Sequence, residues 1–116
     1  MKIKQMNYLS KKTLVMLQRI VKMTFKKEHC LDFENFFNEI KDQVGNQPGC
    51  SGVKLLKEVP GSGVYFTYSN WDKQESLDAY RNTELFNVVW PKVKAWFDAK
   101  PEAWSTEILT ESKPVL

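Results

Sequence analysis

The stretch Gly63–Trp71, Gly-Val-Tyr-Phe-Thr-Tyr-Ser-Asn-Trp, constrains the fold more than any other part of the chain. Its β-branched and aromatic residues read as a strand. Alternation puts Val64, Phe66, Tyr68 and Asn70 on one face and Tyr65, Thr67, Ser69 and Trp71 on the other. Neither face has the polarity of a strand that meets water on one side. Such a strand belongs in the middle of a sheet that is covered twice, so the rest of the chain must supply the covers.

The flanking segments suit that demand. Leu17–Lys26 alternates as a first strand, with Leu17, Arg19, Val21, Met23 and Phe25 on its apolar face and Gln18, Ile20, Lys22 and Thr24 on a mixed one. Phe33, Phe37, Ile40 and Val44 form a helical stripe, widened by Phe36. The predicted helix spans about 28–44, with acidic residues in its first turns and Gly45 and Pro48 to stop it. Its phenylalanines read as core rather than as a ligand cage. Gly49–Val59 reads as a second, more charged strand suited to an edge, and Pro60-Gly61-Ser62-Gly63 turns it into the central strand.

Downstream, Asp72 with Glu75 resembles a capping box for a short helix over about 73–81. Thr83 caps a further helix carrying Leu85, Val89, Val93 and Phe97 in one apolar row. Pro91 interrupts that row and predicts a kink or restart at Trp90–Pro91. Ala103–Thr110 is a fourth strand. The order β-α-β-β-α-β is that of the α+β, ferredoxin-like antiparallel sheet with helices on one face. Helices that cover one face leave the other exposing large apolar side chains, which points to a homodimer.

Charge and cysteine usage narrow the classes. Residues 1–15 carry four lysines and no acid. Removing these from the 17 basic residues leaves 13 against 14 acidic ones, so the folded part is near neutral and no nucleic-acid partner is expected. Residues 1–15 read as a flexible basic N-terminal tail, residues 16–110 as one domain and residues 111–116 as a C-terminal tail. No apolar run approaches the length of a membrane span, so no membrane partner is expected. Cys30 and Cys50 read as free thiols of a cytoplasmic protein. One histidine and two distant cysteines form no recognisable zinc site, and no P-loop, nucleophile elbow or dinucleotide fingerprint is present. The expectation is no metal and no cofactor.

The succession Arg19-Ile-Val-Lys-Met-Thr-Phe25, Phe33…Phe37, Pro48-Gly49-Cys50, Tyr68-Ser-Asn-Trp71 and Leu77-Asp-Ala-Tyr80-Arg-Asn-Thr-Glu-Leu-Phe86 resembles the antibiotic biosynthesis monooxygenase domain family over Met16–Leu109. The resemblance implies a dimeric α+β barrel, built from two sheets packed face to face, with a pocket between helices and sheet in each subunit. It implies activities such as cofactor-independent oxygenation of aromatic polyketides and quinols, or haem degradation. Where many members carry a histidine, nine residues after the strand-ending tryptophan, this chain has Tyr80. The positions used by the haem-degrading branch fall on Gln18, Tyr80 and Trp90, and a tryptophan in place of the axial histidine disfavours haem.

The resulting expectation is a small aromatic substrate, of phenol or quinol type, held by Trp90, Trp71 and Tyr68, with Tyr80 and Gln18 as the catalytic polar groups. Tyr80 would orient the substrate by hydrogen bonding rather than act as a base, since an ordinary phenol has a pKa near 10. Gln18 would polarise a carbonyl or position oxygen. The competing expectation is a non-catalytic small-molecule-binding or regulatory dimer of the same fold, with Tyr80 and Trp90 simply part of the core.

Overall fold

The computed structural model describes residues 17–112. The expected basic tail and the last residues of the C-terminal tail lie outside them. The elements are β1 (Leu17–Thr24), a 3-10 turn (Lys27–His29), α1 (Cys30–Gly45), β2 (Cys50–Lys57), β3 (Val64–Trp71), α2 (Gln74–Tyr80), α3 (Glu84–Lys94) and β4 (Glu102–Glu107). The sheet order is β2-β3-β1-β4 and every pairing is antiparallel. This is the ferredoxin-like α+β fold, with β3 inside the sheet as its two apolar faces require.

Period-two alternation divides the sheet cleanly. Val21, Met23, Phe25, Val53, Leu55 and Tyr65 turn toward the helices and join the core with Phe33, Ile40, Val44, Val89 and Val93. Phe25 stacks on Phe33 at 4.1 Å between ring centres, and Tyr65 meets both rings edge-on. The opposite face carries Ile20 in register with Tyr68 and Trp104, and Leu56 in register with Phe66. Trp104 and Leu56 are exposed there.

Two local expectations are corrected. Asp72 is not the cap of α2: Lys73 holds that position without a side-chain bond, and the Asp72 carboxylate accepts the Ser76 hydroxyl instead, at 2.5 Å. The helix α3 continues through Pro91 without a restart. Asn87 and Pro91 lie on its exposed side, where water can satisfy the carbonyl that proline leaves unpaired. The Thr83 cap is present as read, with its hydroxyl oxygen accepting from the Phe86 amide at 3.2 Å.

Candidate functional site

A cavity of about 330 Å³ lies between the helices and the sheet, within the size range of small-molecule sites. Its apolar walls come from every helix. Phe37 and Val44 project from α1, Leu77 from α2, and Phe86 and Trp90 from α3, while Val21 and Met23 rise from β1. The helical spacings that build the core therefore also build the site: Phe33, Ile40, Val44, Val89 and Val93 belong to both.

A continuous run of aromatic rings borders the cavity, with Tyr80, Phe86 and Trp90 in its lining. Trp71 stacks on Tyr80 at 5.5 Å, and Tyr80 meets Phe86 edge-on at 5.3 Å. Phe86 stacks on Trp90 at 5.9 Å, and Trp90 meets Phe97 edge-on at 5.6 Å. Tyr80 and Trp90 thus both line this cavity. Trp71 is fully buried behind Tyr80 and forms a supporting layer rather than a lining residue.

The other two expected site residues are elsewhere. Gln18 and Tyr68 lie on the far face of the sheet, where Gln18 Nε2 donates to Asn70 Oδ1 at 3.3 Å and Tyr68 pairs across from Ile20. Successive side chains of a strand point to opposite sides, so a one-residue shift in register exchanges the faces. The residue that β1 places in the cavity is Arg19. Its signal was present in the sequence: Arg19 is the one charged residue among Leu17, Val21, Met23 and Phe25, on the apolar face that the helices cover.

The polar lining is small and one-sided. It consists of Arg19, Thr67, Ser69, Tyr80 and Arg81, and contains no carboxylate or histidine among the described residues. Ser69 is buried, and its oxygen accepts the Trp71 indole N–H at 2.8 Å. Arg19 Nη1 donates to Ser105 Oγ at 3.0 Å. Burial, and then Arg81, hold the Arg19 guanidinium below its ordinary pKa, while Asp78 acts in the opposite sense.

The two core-side tyrosines differ in use. The Tyr65 hydroxyl donates to Glu34 Oε2 at 2.5 Å, and this bond is the main cause holding the Glu34 carboxylate below its usual range. The Tyr80 hydroxyl has no protein hydrogen-bond partner among the described residues. Burial, with a smaller contribution from Cys50, pushes its pKa up to about 12. At neutral pH Tyr80 is a protonated donor held inside an aromatic surround. His29, the only histidine of the chain, pairs with Asp32 at 2.9 Å and stacks on Trp96, away from the cavity lining.

The family model for antibiotic biosynthesis monooxygenase matches residues 16–97, which takes in β1 through α3 and all five polar lining residues. The chain belongs to the antibiotic biosynthesis monooxygenase family. Solved structures of similar fold include a conserved protein from Methanosarcina mazei Go1, with a TM-score of 0.77 at 16% identity, covering 84% of this chain and 97% of that one. An antibiotic biosynthesis monooxygenase superposes with a TM-score of 0.75 at 19% identity, over 82% of this chain and 100% of its own. A conserved protein of unknown function from Bacteroides thetaiotaomicron gives 0.69 at 15%, over 79% and 98%. At these identities the likeness is one of fold. Among curated proteins none matches the chain. No helix among the described residues is long and apolar enough to cross a membrane.

Proposed function

We propose that the cavity binds a small electron-rich aromatic molecule, of phenol or quinol type, and that the protein oxygenates it without a cofactor. The observation that carries this reading is that Tyr80, whose hydroxyl has no protein hydrogen-bond partner among the described residues, and Trp90 both line an apolar cavity of about 330 Å³. A flat ring fits between aromatic walls, and an unpartnered phenol donor fixes its oxygen. Once ionised, a phenol can supply the electrons itself. Dioxygen bonds to a ring carbon, one oxygen atom stays there as a quinone carbonyl, and the other leaves as water with the two hydrogens that the phenol loses. The protein contributes orientation, exclusion of water and stabilisation of the phenolate. Tyr80 donates to that oxygen, and Arg19 favours its ionised form.

The assembly we propose is a homodimer in which two sheets pack through the face bearing Ile20, Phe66, Tyr68 and Trp104. Gln18 and Tyr68 would then sit in the subunit interface and support the sheet rather than the substrate.

The test is oxygen uptake with a panel of hydroquinones and naphthols. Uptake that needs the protein, and falls at least tenfold in Tyr80→Phe while the melting temperature is kept, supports oxygenation. One observation favours the second reading, a binding dimer without turnover: the described cavity lining holds no carboxylate or histidine to accept a proton. Saturable binding of the same panel with no oxygen consumed would establish it.

A further inference from the structure

The polar groups of the cavity share one property that reaches beyond the two donors invoked above. Every one of them can donate a hydrogen bond, and two are guanidiniums. Arg19 stands on β1 between Ser69 of β3 and Ser105 of β4, its cross-strand partners. Arg81 follows the last residue of α2, directly after Tyr80. Among the described residues neither arginine has a carboxylate within salt-bridge distance, although the fold does pair Lys22 with Glu102 and Lys57 with Glu34.

Two like charges brought to one mostly apolar cavity repel each other, and Arg81 accordingly disfavours the charge on Arg19. Asp78 pulls the other way from the exposed side of α2 without reaching contact distance. The trio carries a net positive charge at the cavity. Ser69 adds to this. It is buried, and its oxygen is already engaged by the Trp71 indole, so its own O–H remains to be donated. Tyr80 offers a second neutral donor.

We infer that Arg19 and Arg81 form an anion clamp, with Ser69 and Tyr80 as neutral donors, and that the natural ligand is an aromatic acid whose carboxylate lies at this polar end while its ring lies against Phe86 and Trp90. The inference rests on the proposed use of this cavity for an aromatic ligand and narrows it to ligands with a permanent negative charge. Arginine suits the task because its planar fork meets both oxygens of a carboxylate. Arg19 is half-buried against the apolar walls, so its pair with the carboxylate is screened less than in water, whereas Arg81 is exposed and its pull is screened more.

The test is isothermal titration of the full chain with two probes of matched shape, 1-naphthoate and 1-naphthamide. One carries the charge and the other does not. The expected result is that naphthoate binds at least tenfold more tightly. In Arg19→Gln, and separately in Arg81→Gln, the naphthoate-to-naphthamide ratio should fall toward one, whereas Arg19→Lys, which keeps the charge but loses the fork, should retain part of the preference. Raising the salt concentration should weaken naphthoate and leave naphthamide unmoved. Equal affinity of the two probes in the unsubstituted protein would overturn the clamp while leaving the aromatic cavity intact. Preference for naphthoate that survives both glutamine variants would also overturn it, by placing the anion elsewhere. Binding of neither probe would overturn the clamp and the aromatic reading together.

Discussion

Replacing Gly49 by alanine would test how the end of the cavity that carries Tyr80 and Arg81 is held in place. Gly49 precedes β2 with φ of +83°, and its carbonyl accepts the Asp72 amide at 2.8 Å. An added Cβ would stand 2.4 Å from Ser76 Oγ, 2.5 Å from Asp72 Oδ1 and 2.6 Å from Ser76 Cβ. The two oxygens can rotate away, but Ser76 Cβ is fixed to the helix. Ordinary carbon contact then requires α2 to retreat by roughly 1 Å. Gly61→Ala is the internal control, because Gly61 has φ of +92° with open space around the added carbon. Both variants bear the left-handed strain of alanine, about 1–2 kcal/mol, offset by about 0.4–1 kcal/mol from the stiffer unfolded chain. Only Gly49→Ala adds overpacking of about 1–3 kcal/mol and the Ser76–Asp72 hydrogen bond, about 1 kcal/mol. The expected difference between the two variants is therefore about 2–4 kcal/mol in urea denaturation at fixed pH. Because Tyr80 and Arg81 move with α2, Gly49→Ala should also weaken ligand binding where Gly61→Ala does not. If the two variants lie within about 0.5 kcal/mol of each other, the scatter of ordinary surface changes, the contact does not hold α2 and the reasoning is wrong.

The raised pKa values of Tyr65 and Tyr80 make a spectroscopic prediction: these two of the four tyrosines should ionise after the ordinary phenol range in an alkaline absorbance titration of the folded protein. A folded-state pKa above the unfolded value means stability that is complete below about pH 10 and declines as pH rises toward 12, so the urea midpoint should fall through that window, less steeply in Tyr80→Phe; all four ionising together near pH 10 would refute this. Phe66→Asp, which places a charge on the open sheet face, should convert a dimer of 13.6 kDa chains into a monomer by sedimentation equilibrium; a monomeric unsubstituted protein at micromolar concentration would refute the face-to-face assembly. Thr83→Ala removes the oxygen that accepts the Phe86 amide and should destabilise the chain by about 1 kcal/mol in thermal melts, with no loss when serine is substituted instead.

Much of the fold was legible because it rests on local rules. The two apolar faces of Val64–Trp71 required an interior strand, and β3 is one. The Pro60–Gly63 turn joined two strands into a hairpin, and the Thr83 hydroxyl started a helix where a short side-chain oxygen can reach a free amide. Asp72 shows where local rules stop. Its spacing to Glu75 fits a capping box, but the close approach of Gly49 and the Ser76 hydroxyl drew the carboxylate into a different bond.

The site was legible only in part. Tyr80 and Trp90 reach the cavity lining because the short helix and the long one each present a large aromatic residue toward the sheet. Gln18 and Tyr68 lie on the far face of the sheet, and the cavity instead receives Arg19 and Arg81. Alternation along a strand states which residues share a face, but not what covers that face. The cover is decided by the crossovers that carry α1, α2 and α3 over the same side of the sheet. Arg19 lies 62 positions from Arg81 in the chain, and no periodicity relates residues so far apart. Their meeting depends on β1 lying beside β3 and on α2 folding back over both, a placement held by long-range burial at Trp71 and Leu77 rather than by any local preference.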